Sequence, residues 1–307
     1  RSWTREDKVY RITPRQNDAV NSCWMPDSHR LNYKYINAET RIPQPVIRTD
    51  AEAPHRPSTW EPALASAAEA VKRIAPNQLA IIASGRMTNE ELYMVRHLAA
   101  QIGTDMVDIV PRMGESDGML ISADRNPNTN GARLVLGIEP GSRLDAIREG
   151  VRSGSVKGIL TLGEDLTSPE AGFTAEELDK LDYLFMTAHS ANETARHADL
   201  VLPGVTYAEK FGTMINVTGR IQRLNRAIQP IGYARDDWQI FRDITLLLGG
   251  NPALKNFNSA LDILTAMSTE YGALNGVSWG SIGDGGQPIL ETGVTIPVVE
   301  REKNQGR

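Results

Sequence analysis

Hydrophobic and polar positions along this chain follow two different periods, and the two periods alternate. The apolar runs at 78–84 and 156–163 are bounded by turn residues, which is typical of strands buried on both faces. The segment 88–103 places its apolar residues at helical spacing, and Thr88 and Glu91 form a capping box at its start. This alternation predicts a mostly parallel, doubly wound α/β sheet with helices on both faces.

The other predicted elements extend this alternation over most of the chain. Further strands are predicted at 8–13, 105–110, 133–138, 182–189, 199–204 and 294–299, and further helices at 58–74, 143–154, 174–181, 192–198, 234–250 and 259–274.

The placement of prolines predicts the domain organisation. Prolines recur between residues 41 and 60, which is typical of an extended connector. We therefore predict a small N-terminal β region over 1–45, a proline-rich connector over 46–60, an α/β domain over 61–250 and an irregular C-terminal extension over 251–307.

Composition and charge exclude several classes of function. The net charge of −5 gives no electrostatic basis for binding nucleic acid. No apolar run approaches the ~20 residues that cross a bilayer, so we expect no direct membrane insertion. The charged, strand-like start is unlike a signal peptide, and we expect the chain to be a piece of a longer or split polypeptide.

A single cysteine limits the metal chemistry that this chain alone could hold. Cys23 cannot form a disulfide, a structural zinc site or a four-cysteine cluster without other ligands. We expect it to be a buried, inert thiol.

Loops after predicted strands are the candidate ligand sites, because doubly wound sheets bind ligands beyond the carboxyl ends of their strands. Loop 83–91 could hold an anion on its backbone N–H groups, although ordinary capping by Thr88 and Glu91 is the favoured interpretation. In loop 161–170, Glu164 and Asp165 could bind a cation or a ribose hydroxyl, but a solvated turn is favoured.

The histidines show no metal-binding spacing. His97 lies beside the apolar stripe of its helix and is expected to be a packing or surface residue. His189 lies at a strand end, where a site residue could sit, but the neighbouring Ser190 has no nucleophile-elbow motif. A hydrolase is therefore disfavoured.

Three stretches resemble the molybdopterin oxidoreductase superfamily. Segment 187–244 contains ETARHADLVLP followed by Glu, Gly-Thr, Asn, Gly-Arg and Gln in the family's order. Segments 8–37 and 121–138 are also similar, through Pro-Arg-x-Asn and Asn-Pro-Asn motifs, so that the resemblance covers residues 8–248. Within the superfamily, the chain resembles the branch formed by the molybdopterin-oxidoreductase-like domain of NADH-quinone oxidoreductase, respiratory complex I.

The resemblance implies the family's fold and poses the question of its cofactor. Active members hold a bis-pterin guanine dinucleotide around molybdenum or tungsten, with a Cys, selenocysteine, Ser or Asp ligand. In branches with a nearby iron–sulfur cluster, the ligand position corresponds to Pro26, which has no ligand atom, and the neighbouring Cys23 is the sole thiol. A metal ligand in loop 113–131 would have to be one of four residues: Ser116, Asp117, Ser122 or Asp124.

From this departure we expect no cofactor, metal or catalytic residue in this chain. The family motif would then be structural. Gly212 and Gly219 would turn the chain, while Asn216 and Arg220 would bond backbone carbonyls.

The resemblance implies a non-catalytic scaffold in the peripheral, NADH-oxidising arm of a complex I-like enzyme. Flavoprotein and iron–sulfur subunits would be its partners, with the iron–sulfur clusters on those subunits or on an upstream segment. It would be held peripherally at the cytoplasmic face of the inner membrane. One alternative is a split, formate dehydrogenase-like molybdopterin oxidoreductase whose partner chain brings the metal ligand and the closing domain. A third is an α/β domain that binds a nucleotide through 83–91 or 161–170.

Overall fold

The computed structural model describes residues 1–48 and 53–304, which form strands and helices in close alternation. The α-helices of this part are α1 (Asp27–Arg30), α2 (Trp60–Arg73), α3 (Asn89–Ile102), α4 (Thr129–Leu136), α5 (Leu144–Ser153), α6 (Ala175–Leu178), α7 (Glu193–His197), α8 (Asp237–Leu247), α9 (Ala260–Glu270), α10 (Trp279–Ile282) and α11 (Pro297–Asn304). Its strands are β1 (Ser2–Arg5), β2 (Lys8–Ile12), β3 (Val46–Ile47), β4 (Arg56–Pro57), β5 (Leu79–Ala83), β6 (Val107–Ile109), β7 (Gly158–Leu162), β8 (Tyr183–Ala188), β9 (Leu200–Pro203), β10 (Gly212–Ile215), β11 (Arg220–Leu224) and β12 (Gln287–Pro288).

The central sheet has seven strands in the order β4-β3-β9-β8-β7-β5-β6. The five neighbouring strands β9, β8, β7, β5 and β6 are parallel, whereas β3 and β4 add an antiparallel edge. When the five parallel strands are numbered by their order along the chain, they lie across the sheet in the order 2-1-3-4-5. The direction in which the chain adds strands therefore reverses between β5 and β7. Such a reversal is the topological switch point at which doubly wound sheets bind ligands.

Alternating side chains of each parallel strand face opposite layers of helices. In β5, Leu79 and Ile81 pack with α2, α3 and α8, while Ala80 and Ile82 pack with α5 and α6 on the other face. Both faces of the strands are therefore buried, as the continuous apolar runs predict. The predicted mostly parallel, doubly wound α/β fold is confirmed.

Two predicted strands are helices in the structure. The segment 133–138 lies largely in α4, whose Ala132 and Val135 face the core at helical spacing and which ends at Gly137 with φ of 67°. The predicted strand at 294–299 overlaps α11, which begins at Pro297. In both cases a short apolar run fitted either period, and the tertiary contacts selected the helix.

Two small sheets flank the central one. The hairpin β1–β2 forms the predicted N-terminal β region, and Val9 and Ile12 pack in a cluster of their own with Ala208 and Ile228. Strands β10, β11 and β12 form an antiparallel sheet beyond the carboxyl edge of the central sheet. Residues 207–228 therefore contact the N-terminal region.

The segment after residue 250 packs onto the main core. Ile263, Leu264 and Met267 of α9 are buried with the residues of α3 and α8. The described part of the connector includes β3 and β4, whereas residues 49–52 of that predicted region lie outside the described residues. None of the helices in 1–48 and 53–304 is long and apolar enough to cross a membrane.

Gly219, in the turn between β10 and β11, allows one prediction about stability. Its φ is +77°, and an added Cβ would lie 2.2 Å from the carbonyl oxygen of Leu290. We expect Gly219→Ala to lower the free energy of unfolding by about 2–3 kcal/mol, because strain and a backbone clash add. Gly118→Ala is the control, since φ there is +64° with no atom within 4 Å of the added Cβ, and should cost about 1 kcal/mol. Equal losses in urea titrations would contradict the clash.

Candidate functional site

The loops after four parallel strands meet at the switch point and enclose a small cavity. This cavity, the inner chamber, has a volume of about 90 Å³. Its polar lining consists mainly of Ser84 after β5, His189 after β8, Thr206 after β9, and Lys210 and Asp237 from the following segments. A volume of that size holds about three water molecules.

A larger cavity, the outer cleft, opens beside the inner chamber and has a volume of about 750 Å³. The loop 120–127 and the hairpin β10–β11 form much of its wall, with apolar contributions from Leu120 and Met214. Tyr35, Arg86 and Tyr207 line both cavities, so the two cavities are adjacent. The outer cleft has the size of pockets that bind organic ligands.

The outer cleft is positively charged. Among the described residues that line it, four are arginines, Arg1, Arg86, Arg125 and Arg223, and one, Asp124, is a carboxylate. The exposed Arg86 guanidinium has no hydrogen-bond or ion-pair partner in 1–48 and 53–304. Nε of Arg223 is buried without a partner, while the other nitrogens of this guanidinium bond Asp284 and the carbonyl of Trp279. This excess of cations favours an anionic ligand.

Two carboxyl groups and one ammonium group lie buried at the base of the inner chamber. Lys210 Nζ donates to both carboxylate oxygens of Glu91, at 2.8 and 2.9 Å. Burial alone would lower the pKa of Lys210, but the charges of Glu91 and Asp237 outweigh it and raise that pKa above its usual value. Burial and the neighbouring Glu91 raise the pKa of Asp237 to about 7, against the attraction of Lys210.

His189 lines the inner chamber beside Tyr35, which lines both cavities. Its ring lies 5.2 Å from the ring of Tyr35, and its Nδ1 is 2.9 Å from Oγ of Ser190. Burial, together with the charges of Arg41, Lys210 and Arg86, lowers the pKa of His189 to about 4. The imidazole is therefore neutral at physiological pH.

Buried polar contacts fix the β10–β11 hairpin against the start of α3. Thr213 donates its N–H and its hydroxyl to the Glu90 carboxylate, both at 2.8 Å, and Asn128 Oδ1 accepts the N–H of Ile215 at 2.7 Å. Burial raises the pKa of Glu90 to about 7 despite the Thr213 bonds. The cleft wall is thereby positioned by side chains of the central domain.

The favoured interpretation of loop 83–91 is confirmed. Glu91 accepts the backbone N–H of Thr88 at 2.8 Å and donates its own N–H to Oγ1 of Thr88 at 3.3 Å, which completes the capping box. The N–H of Arg86 bonds Oγ of Ser84 at 3.2 Å. The loop instead contributes the side chain of Arg86, which the sequence pattern did not single out.

The solvated turn expected at 161–170 is wrong. Glu164 is buried and accepts two bonds from the Arg112 guanidinium, one of them at 2.8 Å. Asp165 accepts the hydroxyl of Thr194 at 2.7 Å. Both carboxylates have protein partners, so they are also poorly placed for a cation or a ribose.

The candidate metal ligands of loop 113–131 lie in different places. Ser122 and Asp124 line the outer cleft. Asp117 lies in its own turn and accepts three backbone N–H groups, each at 2.8 Å. Within the described ranges, no group of three or more His, Cys, Asp or Glu residues is arranged to hold a metal. Cys23 is exposed, which corrects the expectation of a buried thiol.

His97 packs as expected, because its ring contacts that of Tyr93 edge to face at 4.6 Å between centroids.

The glycine and asparagine motif acts differently from the prediction at two positions. Gly219 has the expected turn conformation, but Gly212 lies in β10, where an added Cβ would come within 2.6 Å of Thr88. Oδ1 of Asn216 accepts the backbone N–H groups of Thr218 and Arg220, and its Nδ2 donates to Oε1 of Gln222, so this side chain does not bond backbone carbonyls. Arg220 does bond a carbonyl, that of Gly286, at 2.7 Å.

Comparison with known proteins shows which family this part of the chain resembles. Residues 118–245 match the family model described as molybdopterin oxidoreductase. This span includes the loop 120–127, the hairpin β10–β11 and Asp237, and therefore much of both cavities. This part of the chain is similar to that family, and the mostly parallel α/β fold is consistent with it.

Two staphylococcal relatives are similar over less than half of the chain. A "Putative formate dehydrogenase" of Staphylococcus haemolyticus (strain JCSC1435) is 32% identical over 138 residues, 44% of this chain and 14% of that protein. A protein with the same description from Staphylococcus aureus (strain USA300) is 31% identical over 153 residues, 46% of this chain and 16% of that protein. The match thus covers a small part of each relative's length.

One solved structure with the same fold is acetylene hydratase from Pelobacter acetylenicus. Its TM-score is 0.60 at 10% identity, over 90% of this chain and 70% of that chain.

Proposed function

We propose that this chain is part of a formate dehydrogenase-like molybdopterin oxidoreductase, and that its outer cleft holds the anionic part of a pterin dinucleotide cofactor. The observation that carries this proposal is the unpartnered Arg86 guanidinium, which lines both cavities at the switch point of the sheet. The staphylococcal relatives support the same direction, since both are named as formate dehydrogenases.

The residues of the cleft fit the chemistry of such a cofactor. A dinucleotide joins planar rings to a pyrophosphate, and the cleft combines apolar walls with four arginines against one carboxylate. Guanidinium groups pair with phosphate through parallel hydrogen bonds. Buried polar atoms without partners, Nε of Arg223 and Oδ1 of Asn126, belong to residues that line the cleft.

Each part of this chain would have a limited role in that enzyme. The cofactor would supply the two-electron redox chemistry when bound. Arg86 and Arg125 would bind and orient its phosphates, while loop 120–127 and the hairpin β10–β11 would exclude water from them. Of the four candidate metal ligands, Ser122 and Asp124 are the two at the cleft wall.

Arg86→Gln tests this proposal. We expect it to weaken the binding of a guanosine dinucleotide or of isolated pterin cofactor by about 10-fold or more, because a charge-assisted phosphate contact is lost. The measurement is calorimetric titration of the folded protein, with unfolding curves showing that stability is unchanged. Arg73→Gln is the matched control, since the exposed Arg73 ends α2 near the opposite, amino edge of the sheet and should leave binding unaltered.

The same titrations separate this proposal from the complex I scaffold. A folded wild-type chain that binds neither ligand would favour the scaffold, in which residues 187–244 keep only the fold of a cofactor site. Flavoprotein and iron–sulfur partners, and a peripheral location on the inner membrane, stay predictions of that alternative.

A further inference from the structure

We propose that an anion bound beside Arg86 is bound together with one proton, which Asp237 takes up in the inner chamber. This inference rests on the proposed function, because it assumes an anionic ligand in the outer cleft. It concerns a group that lies outside the cleft and does not itself contact the phosphates.

The first step is the position of Arg86 relative to Asp237. Arg86 lines the outer cleft and the inner chamber, and Asp237 lines only the chamber. Gly204 permits this arrangement, since a Cβ there would lie 2.7 Å from the Asp237 carboxylate. An anion that binds next to Arg86 on the chamber side therefore lies across this small chamber from Asp237, whose own carboxyl group is buried and weakly screened.

The second step is the charge balance of the chamber. The ammonium group of Lys210 lies near two carboxylates, those of Glu91 and Asp237, and it is bonded to Glu91. When all three of these buried groups are ionised, they carry one net negative charge. Bringing a further anion near favours protonation of the carboxylate that is not bonded to Lys210, which is Asp237.

The groups that face Asp237 come from every neighbouring element. They are Glu91 from α3, Lys210 before β10, Asp236 of the same helix, His189 after β8 and Arg86 after β5. Asp236 is bonded to Arg226 at 2.9 Å, and burial raises its pKa to about 6. His189 is neutral, with a pKa lowered to about 4 by burial and the nearby cations. Asp237 is thus the group on the chamber wall that titrates near pH 7.

The dependence of the anion affinity on pH follows from the linkage between anion binding and proton binding. Below pH 6, Asp237 already holds its proton, so anion binding takes up none and the affinity is independent of pH. Above pH 7, Asp237 is ionised in the free protein, and binding must bring one proton. The affinity should therefore fall as the pH rises, to about one tenth of its pH 6 value at pH 8.

Calorimetric titration with sodium sulfate tests this inference, because sulfate resembles phosphate but does not itself titrate between pH 6 and 8. Two buffers with different protonation enthalpies give the number of protons taken up. We expect nearly one proton at pH 8 and nearly none at pH 6. Uptake of less than about 0.2 proton at pH 8 overturns the inference even if no variant is made.

Variants assign the proton to its residue. Asp237→Asn should retain sulfate binding, lose the proton uptake and show equal affinity at pH 6 and pH 8. Asp243→Asn is the matched control on the same helix, since Asp243 pairs with Arg242 away from the chamber, and should behave as wild type. His189→Asn should also retain the uptake, and a loss there but not in Asp237→Asn would contradict the assignment. Failure of the wild type to bind sulfate sinks the proposed function as well, whereas binding without proton uptake sinks only this inference.

Discussion

Lys210→Met is expected to lower the free energy of unfolding by about 3–5 kcal/mol at pH 7.5, because it leaves the buried Glu91 and Asp237 carboxylates without their cation. The loss should shrink as the pH falls toward 5, since protonation removes the unpaired charge. Urea unfolding followed by circular dichroism at the two pH values measures both effects.

The double variant Lys210→Met, Glu91→Gln is the control for this prediction. Glutamine at position 91 keeps the capping box with Thr88, so the double variant removes charge without removing the cap. It should recover at least half of the loss. A cost below about 1 kcal/mol for Lys210→Met alone would show that the pair is effectively solvated.

Phe241→Ala is expected to destabilise the fold by about 3–5 kcal/mol, because it removes a fully buried ring between α8 and α3. Leu247→Ala on the same helix is the comparison, since Leu247 is 46% exposed and should cost less than about 1 kcal/mol. Thermal or urea unfolding distinguishes the two. Similar losses at both positions would mean that the burial of the side chain does not determine the cost.

The sequence predicted the fold well where its signals were local. Thr88 and Glu91 form the predicted capping box, and the apolar run at 78–84 contains β5, buried on both faces. These features depend on residues a few positions apart, which pattern reading detects. The segment 133–138 failed because its apolar run is too short to distinguish a strand from a helix, and α4 is set by contacts with α3 and β10.

The site was predicted less well, because its contacts are distant in sequence. Lys210 lies in EKFGT, which gives no sign of burial, and its partner Glu91 is 119 residues earlier. The sequence around Glu164 likewise predicted a solvated turn, although Arg112 from the end of β6 neutralises this carboxylate. A buried charge is stable only with a partner, and neither partner is visible until the strands are ordered.

The two outer strands of the central sheet are very short, and each has a proline within it or just after it. At one edge, β4 is only Arg56–Pro57, and at the other, β6 is Val107–Ile109 with Pro111 two residues on. A proline supplies no N–H, and a strand of two or three residues offers few free backbone groups to another chain. Both margins of the sheet are therefore poor templates for edge-to-edge aggregation, which protects a wide and otherwise highly apolar sheet at high protein concentration.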